Sequence, residues 1–469
     1  MTNIIEKIFS VNGVLKKEKP LGDIPNTSEV YNEVLKVATP AVADTVLVAI
    51  ISMVDTIMVS SMGSAAVAGV GLTTQPRMIL LATFMAISTG VTAVVARRRG
   101  EGNQEGASKA LEQSMTIGLI GSVIFSLLGF VFAQRLMYFA GAQADSVGYA
   151  TTYFKILMLG IPFNVLTVFI NGAQRGCGNT KISMKINLTA NVINLVLNYL
   201  LINGHMGFPR LGVAGAAIAT ITGNIVGFFM AIYSLSSKRE QFLNINIKAM
   251  FKIKKEVLSP VLVVGLSAGF EQIFLRLGFF LYAKIIAQLG TEAMATHNIC
   301  NSILNLSFAF CDGLAMTASA FFGQNLGKKR PDLSMLYTKA CRKISIVMVA
   351  LVDAVLIFGG KYIMLVFTDV PSIIETGRIL LLIIAITSPI QALQFITSSS
   401  LRVGGDAKYT AYVSMISVGI LRPILAYLFC YTFSLGIVGA WSSYFVDQVI
   451  RFTLYHIRFM SGKWKNIKL

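Results

Sequence analysis

Asp55 stands between Val54 and Thr56 in an otherwise apolar stretch, with no basic residue within two helical turns. An ionised side chain at mid-bilayer costs at least ~2.5–3.5 kcal/mol, so such a carboxylate needs a partner or a task. Further along, Asn187, Asn191, Asn194 and Asn198 follow one another at spacings of 4, 3 and 4, which puts all four on one helix face. Thr220 and Asn224 share a face in the next apolar run. Asp55 with Asn194, Asn198 and Thr220 would make an oxygen-rich cage for a hard monovalent cation or a proton, with Na⁺ held at Asp55, Asn194 and Asn198. The plain structural alternative is an amide ladder that glues helices together. The asparagines alone fit both readings, whereas an intramembrane carboxylate points to function.

The second half of the chain has its own set. Glu271 is preceded by Gly265, Ser267 and Gly269 and followed by Gln272 and Arg276. It is read as a second cation-coupling acid, against the alternative of a structural pair with Arg276, for which a spacing of five is poor. Asn298, Asn301 and Asn305 share a face with Asp312, and Gln391 and Gln394 lie in a later run. These amides are the expected lining of a substrate cleft. Arg422, next to Pro423, reads as a packing anchor or as part of a cytoplasmic vestibule.

The elements that must position these groups are apolar. The chain of 469 residues is 55% hydrophobic and 13% charged. Its apolar residues come in runs of bilayer-crossing length, at roughly 37–60, 70–96, 111–134, 150–173, 184–203, 213–235, 257–287, 296–322, 344–366, 378–399, 410–431 and 438–457. They lack the alternation of transmembrane strands. If the N-terminus is cytoplasmic, 30 of the 40 Lys and Arg fall on the cytoplasmic side, which accounts for the net charge of +18. The membrane explains the charge, and no nucleic-acid partner is needed. The first 36 residues are polar and read as uncleaved. The five cysteines have no metal-ligand or disulfide spacing. The histidines His205, His297 and His456 lie on separate segments, so no enzyme is expected.

An offset of 227 residues repeats the pattern. It pairs Pro162 with Pro389, Gly63 with Gly290 and Gly100 with Gly327. It also pairs Arg175 with Arg402, Gly178 with Gly405, Asn179 with Asp406, Lys181 with Lys408, and Asp44 with Glu271. The expected fold is therefore an all-α polytopic membrane protein. Twelve transmembrane helices form two homologous six-helix bundles, related by a pseudo-twofold along the membrane normal. The expected division is a cytoplasmic tail 1–36, an N-lobe 37–235, a cytoplasmic linker 236–256, a C-lobe 257–458 and a cytoplasmic tail 459–469.

With these features in order, the chain resembles the multidrug and toxic compound extrusion (MATE) family, of the NorM/DinF-like bacterial kind. The carriers are Val54-Asp55-Thr56 followed by residues 63–69, the stretch Gly172 to Lys181, Gly212-Val213-Ala214-Gly215-Ala216, residues 290–295, Gly323-Gln324-Asn325-Leu326-Gly327 and Ser400-Leu401-Arg402. The resemblance implies two six-helix lobes and export of mostly cationic, amphipathic compounds against Na⁺ or H⁺, with no cofactor. It implies a coupling role for Asp55. Asn198 stands where relatives often carry an Asp, which leaves the N-lobe cage one carboxylate, and Gln391 stands where some carry an Asp.

The expected function is alternating-access antiport through a central cleft, by a monomer in the bacterial inner membrane with both termini cytoplasmic. One rival is a flippase for lipid-linked precursors, which would need cationic residues in the cleft; the Arg residues within the runs show no clustering by repeat register. A non-transporting receptor or scaffold is the other rival, and it would not require buried acids.

Overall fold

With no water in the bilayer core to satisfy the backbone, each apolar run closes its hydrogen bonds on itself as a helix. The computed structural model describes residues 20–60, 64–143, 146–236, 242–246, 250 and 254–467, apart from the side chains of 52, 53, 55–57, 59, 60, 64–68, 75 and 306. The long helices are α1 (Thr27–Ser60), α2 (Ser64–Gly100), α3 (Gln104–Val131), α4 (Val147–Gly176), α5 (Thr180–Asn203) and α6 (Val213–Ser236). They continue as α7 (Lys255–Ala287), α8 (Thr291–Gly327), α9 (Pro331–Phe367), α10 (Pro371–Leu401), α11 (407–432) and α12 (Gly436–Met460). Within α11 the segments Met415–Leu421 and Leu428–Thr432 are π-helical. No strand occurs among the described residues. Among the described residues, ten helical stretches are long and apolar enough to cross a membrane, one of them, Pro371–Thr432, holding both α10 and α11.

Several helices start well before the apolar run that announces them. The run at 344–366 is only the apolar part of α9, which begins at Pro331. Its first turns carry Asp332, Lys339, Arg342 and Lys343, so hydropathy falls before the helix ends. Proline opens both α9 and α10, where its missing N–H costs no helical bond.

The repeat is visible in the backbone. α2 and α8, α3 and α9, and α5 and α11 begin 227 residues apart, at Ser64 and Thr291, Gln104 and Pro331, and Thr180 and Ala407. Their turns match as well. Gly178 and Gly405 have φ of 81° and 96°, and Gly102 (71°) corresponds to Lys329 (59°). Only glycine takes such angles without steric cost, so Lys329 holds the same turn under strain.

The chain divides into two units by contact, Ala43–Gly265 (the N-unit) and Met1–Val42 with Leu266–Leu469 (the C-unit). The division falls inside α1 and α7. In the N-unit, Phe84, Phe154, Met158 and Phe169 form the centre of the core. There α2 and α4 approach so closely that a Cβ on Gly172 would lie 2.4 Å from Ser88 Oγ. Ser88 Oγ donates to Val168 O at 2.9 Å and Thr92 Oγ1 to Gly172 O at 3.0 Å, the small-residue and hydroxyl packing typical of lipid. The described part of the linker is stitched to α3, where Ser108 Oγ accepts from Asn244 N, Glu112 Oε1 from Asn246 N and Gln113 Oε1 from Lys254 N.

In the C-unit, Trp441 and Tyr444 lie in one core cluster, and Phe322, Phe459 and Trp464 in another. The segment before α1 is tied to the start of α9. Leu21 N donates to Asp332 Oδ2 at 3.1 Å, Arg330 Nη2 donates to Asp23 O at 3.0 Å, and Tyr337 OH donates to Glu33. Large apolar side chains such as Leu351 and Phe358 in α9 are left exposed, a surface suited to lipid.

Candidate functional site

Two buried carboxylates face polar partners at equivalent places in the repeat. In the N-unit, α1 carries Asp44, 5% exposed. Asn187 on α5 donates its Nδ2 to Asp44 Oδ1 and Oδ2 at 3.1 and 2.9 Å. The Asn187 oxygen in turn accepts from Asn171 Nδ2 at 2.9 Å. The orientation of Asn187 follows from chemistry, since an ionised carboxylate only accepts. Among the described residues Asp44 is in no ion pair; Arg175 acts on it as a through-space charge.

About two and three turns further along α5 the ladder continues. Asn194 Nδ2 donates to Thr220 Oγ1 on α6 at 3.1 Å, and Asn198 Nδ2 donates to Asn194 Oδ1 at 3.4 Å. Asn164 on α4 donates to Asn224 on α6 at 3.2 Å. The structure thus brings Asn194, Asn198 and Thr220 together. Asp55 lies outside the described residues, so its place in that cage is not part of this geometry. Asn187 is spent on Asp44, a residue that sequence reasoning noted only as a mark of the repeat.

In the C-unit, α7 carries Glu271, 4% exposed. Its partner is Arg402, whose Nη1 lies 3.1 Å from both carboxylate oxygens. The structural alternative, a pair with Arg276, is not the one formed. Arg402 sits in a π-helical turn, Arg402–Asp406, at the end of α10, the kind of local widening that recurs at functional positions. Ser414 Oγ on α11 donates to Glu271 at 2.9 Å and Thr410 Oγ1 at 3.4 Å. Tyr455 OH on α12 lies 2.8 Å from Ser414 Oγ and donates to Thr410 O at 3.1 Å.

The amides expected along a cleft separate into two environments. Asn298, Asn301 and Asn305 stand exposed on one face of α8. Gln391 and Gln394 on α10 are buried, and Gln391 Oε1 accepts from Tyr444 OH at 2.9 Å. Arg422 is neither exposed nor alone. It and Arg451 both hold Asp447, so two Arg residues within the runs do cluster, on one carboxylate. The i, i+4 relation of Asp447 and Arg451 was a readable signal for this. Asp353 on α9, which accepts from Ser388 on α10, had no comparable sequence partner.

The MatE family model matches residues 40–200 and 268–428, once in each repeat. A probable multidrug resistance protein NorM of Thermotoga maritima is 26% identical over 460 residues, covering 96% of each chain. An uncharacterized transporter, YisQ, of Bacillus subtilis is 27% identical over 413 residues, covering 87% of this chain and 90% of its own. Among solved structures, MATE in complex with MaL6 superposes with a TM-score of 0.86 at 22% identity, over 97% of this chain and 99% of the other. An outward-facing multidrug resistance MATE family transporter gives 0.86 at 22%, over 92% and 97%. The two structures speak for the fold.

Proposed function

The chain belongs to the MatE family, and from that premise we propose that it is a secondary active exporter of amphipathic, mostly cationic small molecules, coupled to Na⁺ or H⁺ entry. It would sit in the cell membrane as a multi-pass protein with both termini cytoplasmic. The names of its multidrug-resistance relatives support the substrate class.

The observation that carries the coupling is the difference between the two buried acids. Glu271 is matched by a guanidinium on both oxygens, so the pair has no net charge with which to hold a cation. Asp44 is held by an amide and keeps its negative charge available. We therefore assign the coupling cation to the N-unit and give Glu271 a positioning role. Asp55 and Asn198 each lie eleven residues beyond the Asp44–Asn187 contact. Since α1 and α5 are both odd-numbered crossings, the two ends of the ladder would each carry one acid. A cation moving between Asp44 and the Asp55–Asn194–Asn198–Thr220 group would then bias one access state over the other by differential affinity.

The test is efflux of a fluorescent organic cation from proteoliposomes, with Na⁺ and pH gradients imposed separately. Asp44→Asn and Asp55→Asn should each reduce gradient-driven efflux at least ~10-fold, a loss of about 1.4 kcal/mol of coupling. Unchanged efflux in both variants would sink the assignment. The flippase reading draws on the buried guanidinium groups of the C-unit. It would replace the present one if no organic cation moved while a lipid-linked pyrophosphate did.

A further inference from the structure

The C-unit contains a buried charge cluster that the coupling reading does not use. Asp447 on α12 is fully buried, Arg422 on α11 is 1% exposed and Arg451 on α12 is 6% exposed. Arg422 holds Asp447 Oδ2 through Nε at 3.0 Å and through Nη2, while Arg451 Nη2 reaches the same oxygen at 3.2 Å. The other oxygen accepts from Ser417. One carboxylate therefore serves two guanidinium groups, and the cluster keeps a net charge of about one positive unit in a region where each uncompensated charge is costly. The neighbouring charges do not cancel it. Glu271 is taken by Arg402, and Asp406 by Arg458.

Part of the excess is softened by aromatic faces. The Arg422 guanidinium lies 5.0 Å from the Tyr444 ring centre and 5.2 Å from that of Phe279, a desolvated arrangement that attracts a cation to the ring. Arg451 is on no such ring among the described residues. Its Nε, bonded to the same carbon as the Nη2 on Asp447, is buried with no hydrogen-bond partner among the described residues. The same holds for Trp441 Nε1 and Gln391 Nε2. Trp441 stacks edge-on to Tyr444 at 5.9 Å, and Tyr444 is bonded to Gln391. Trp441, Tyr444, Gln448 and Arg451 follow at spacings of 3, 4 and 3, so they line one face of α12. Gln448 Oε1 is the one unpartnered acceptor on that face. Buried polar groups without partners are rare and each leaves a desolvation cost. Of these, the Arg451 N–H belongs to the charged cluster itself.

We infer that this face of α12 binds a small monovalent anion of the halide class, held by Arg451 and balanced against Arg422 and Asp447. The anion completes the charge of the C-unit, leaving cation coupling to the N-unit; it does not depend on which N-unit acid couples.

The experiment uses the full chain in nanodiscs, at fixed Na⁺ and ionic strength, with gluconate replaced by chloride, bromide or formate. Chloride and bromide should raise the thermal midpoint saturably, by roughly 3 °C, as expected for a ligand bound only by the folded state. Arg451→Gln should abolish that shift and should be no less stable than the wild type in gluconate, because the excess charge is gone. Bromide should give an anomalous peak beside Arg451 in crystals of the unaltered protein, a readout that stands even if the variant fails to fold. Equal midpoints in chloride and gluconate would overturn the site. So would a halide response that survives Arg451→Gln, or a response to formate with none to bromide.

Discussion

Asp44 and Glu271 occupy equivalent places in the two repeats, and so do Arg175 and Arg402, and Asn187 and Ser414, all 227 residues apart. In the C-unit the arginine reaches the acid and closes on both oxygens. In the N-unit the corresponding arginine forms no ion pair with the acid among the described residues, and an asparagine takes the contact. Ser414 is too short to replace a guanidinium, whereas Asn187 can reach Asp44 with its amide. The same duplicated framework thus holds one acid on a guanidinium and the other on an amide. Duplication supplied the geometry, and single side chains decided what each copy does with it.

The largest effect that would test this contrast is on stability. Arg402→Met leaves Glu271 buried without its cation and should cost about 3–5 kcal/mol in thermal or chemical unfolding, as for other broken buried pairs. The double variant Glu271→Gln, Arg402→Met should recover most of that loss; if it does not, the arginine matters for the π turn and not for the acid. Arg175→Met at the equivalent place should cost less than Arg402→Met, since it breaks no ion pair with Asp44. A loss as large as at Arg402 would show the two sites to be alike after all. The smallest contrast lies in the turns. Gly102→Ala should destabilise by roughly 1 kcal/mol, because it forces onto the first repeat the strain that Lys329 already carries in the second.

The helices and the repeat could be read along the chain because both are local or periodic. Apolar runs announce helices, and matching turns such as Gly178 and Gly405 keep register. The asparagine face of α5 was readable for the same reason, from the spacing of Asn187, Asn191, Asn194 and Asn198. The acid partners were not. Arg402 reads as a cytoplasmic loop charge until the fold brings it to Glu271, 131 residues away. Asp44 lies four residues after Pro40, where nothing nearby distinguishes a buried carboxylate from one near the membrane surface. Its neighbour Asn187 is 143 residues distant. Pairings of that range follow from packing, which no single-helix pattern encodes.

The tie between Leu21 and Asp332 has a consequence for how the protein is made. The two residues are separated by 311 positions, and the segment through Val42 belongs with the half of the chain synthesised last. At ribosomal rates of about 5–20 residues per second, Leu21 waits roughly 15–60 s before Asp332 exists to receive it. The N-unit, which ends at Gly265, can assemble in that interval without it. The stretch from residue 20 to Val42 is therefore among the last to find its place, and its docking marks the completion of the second half.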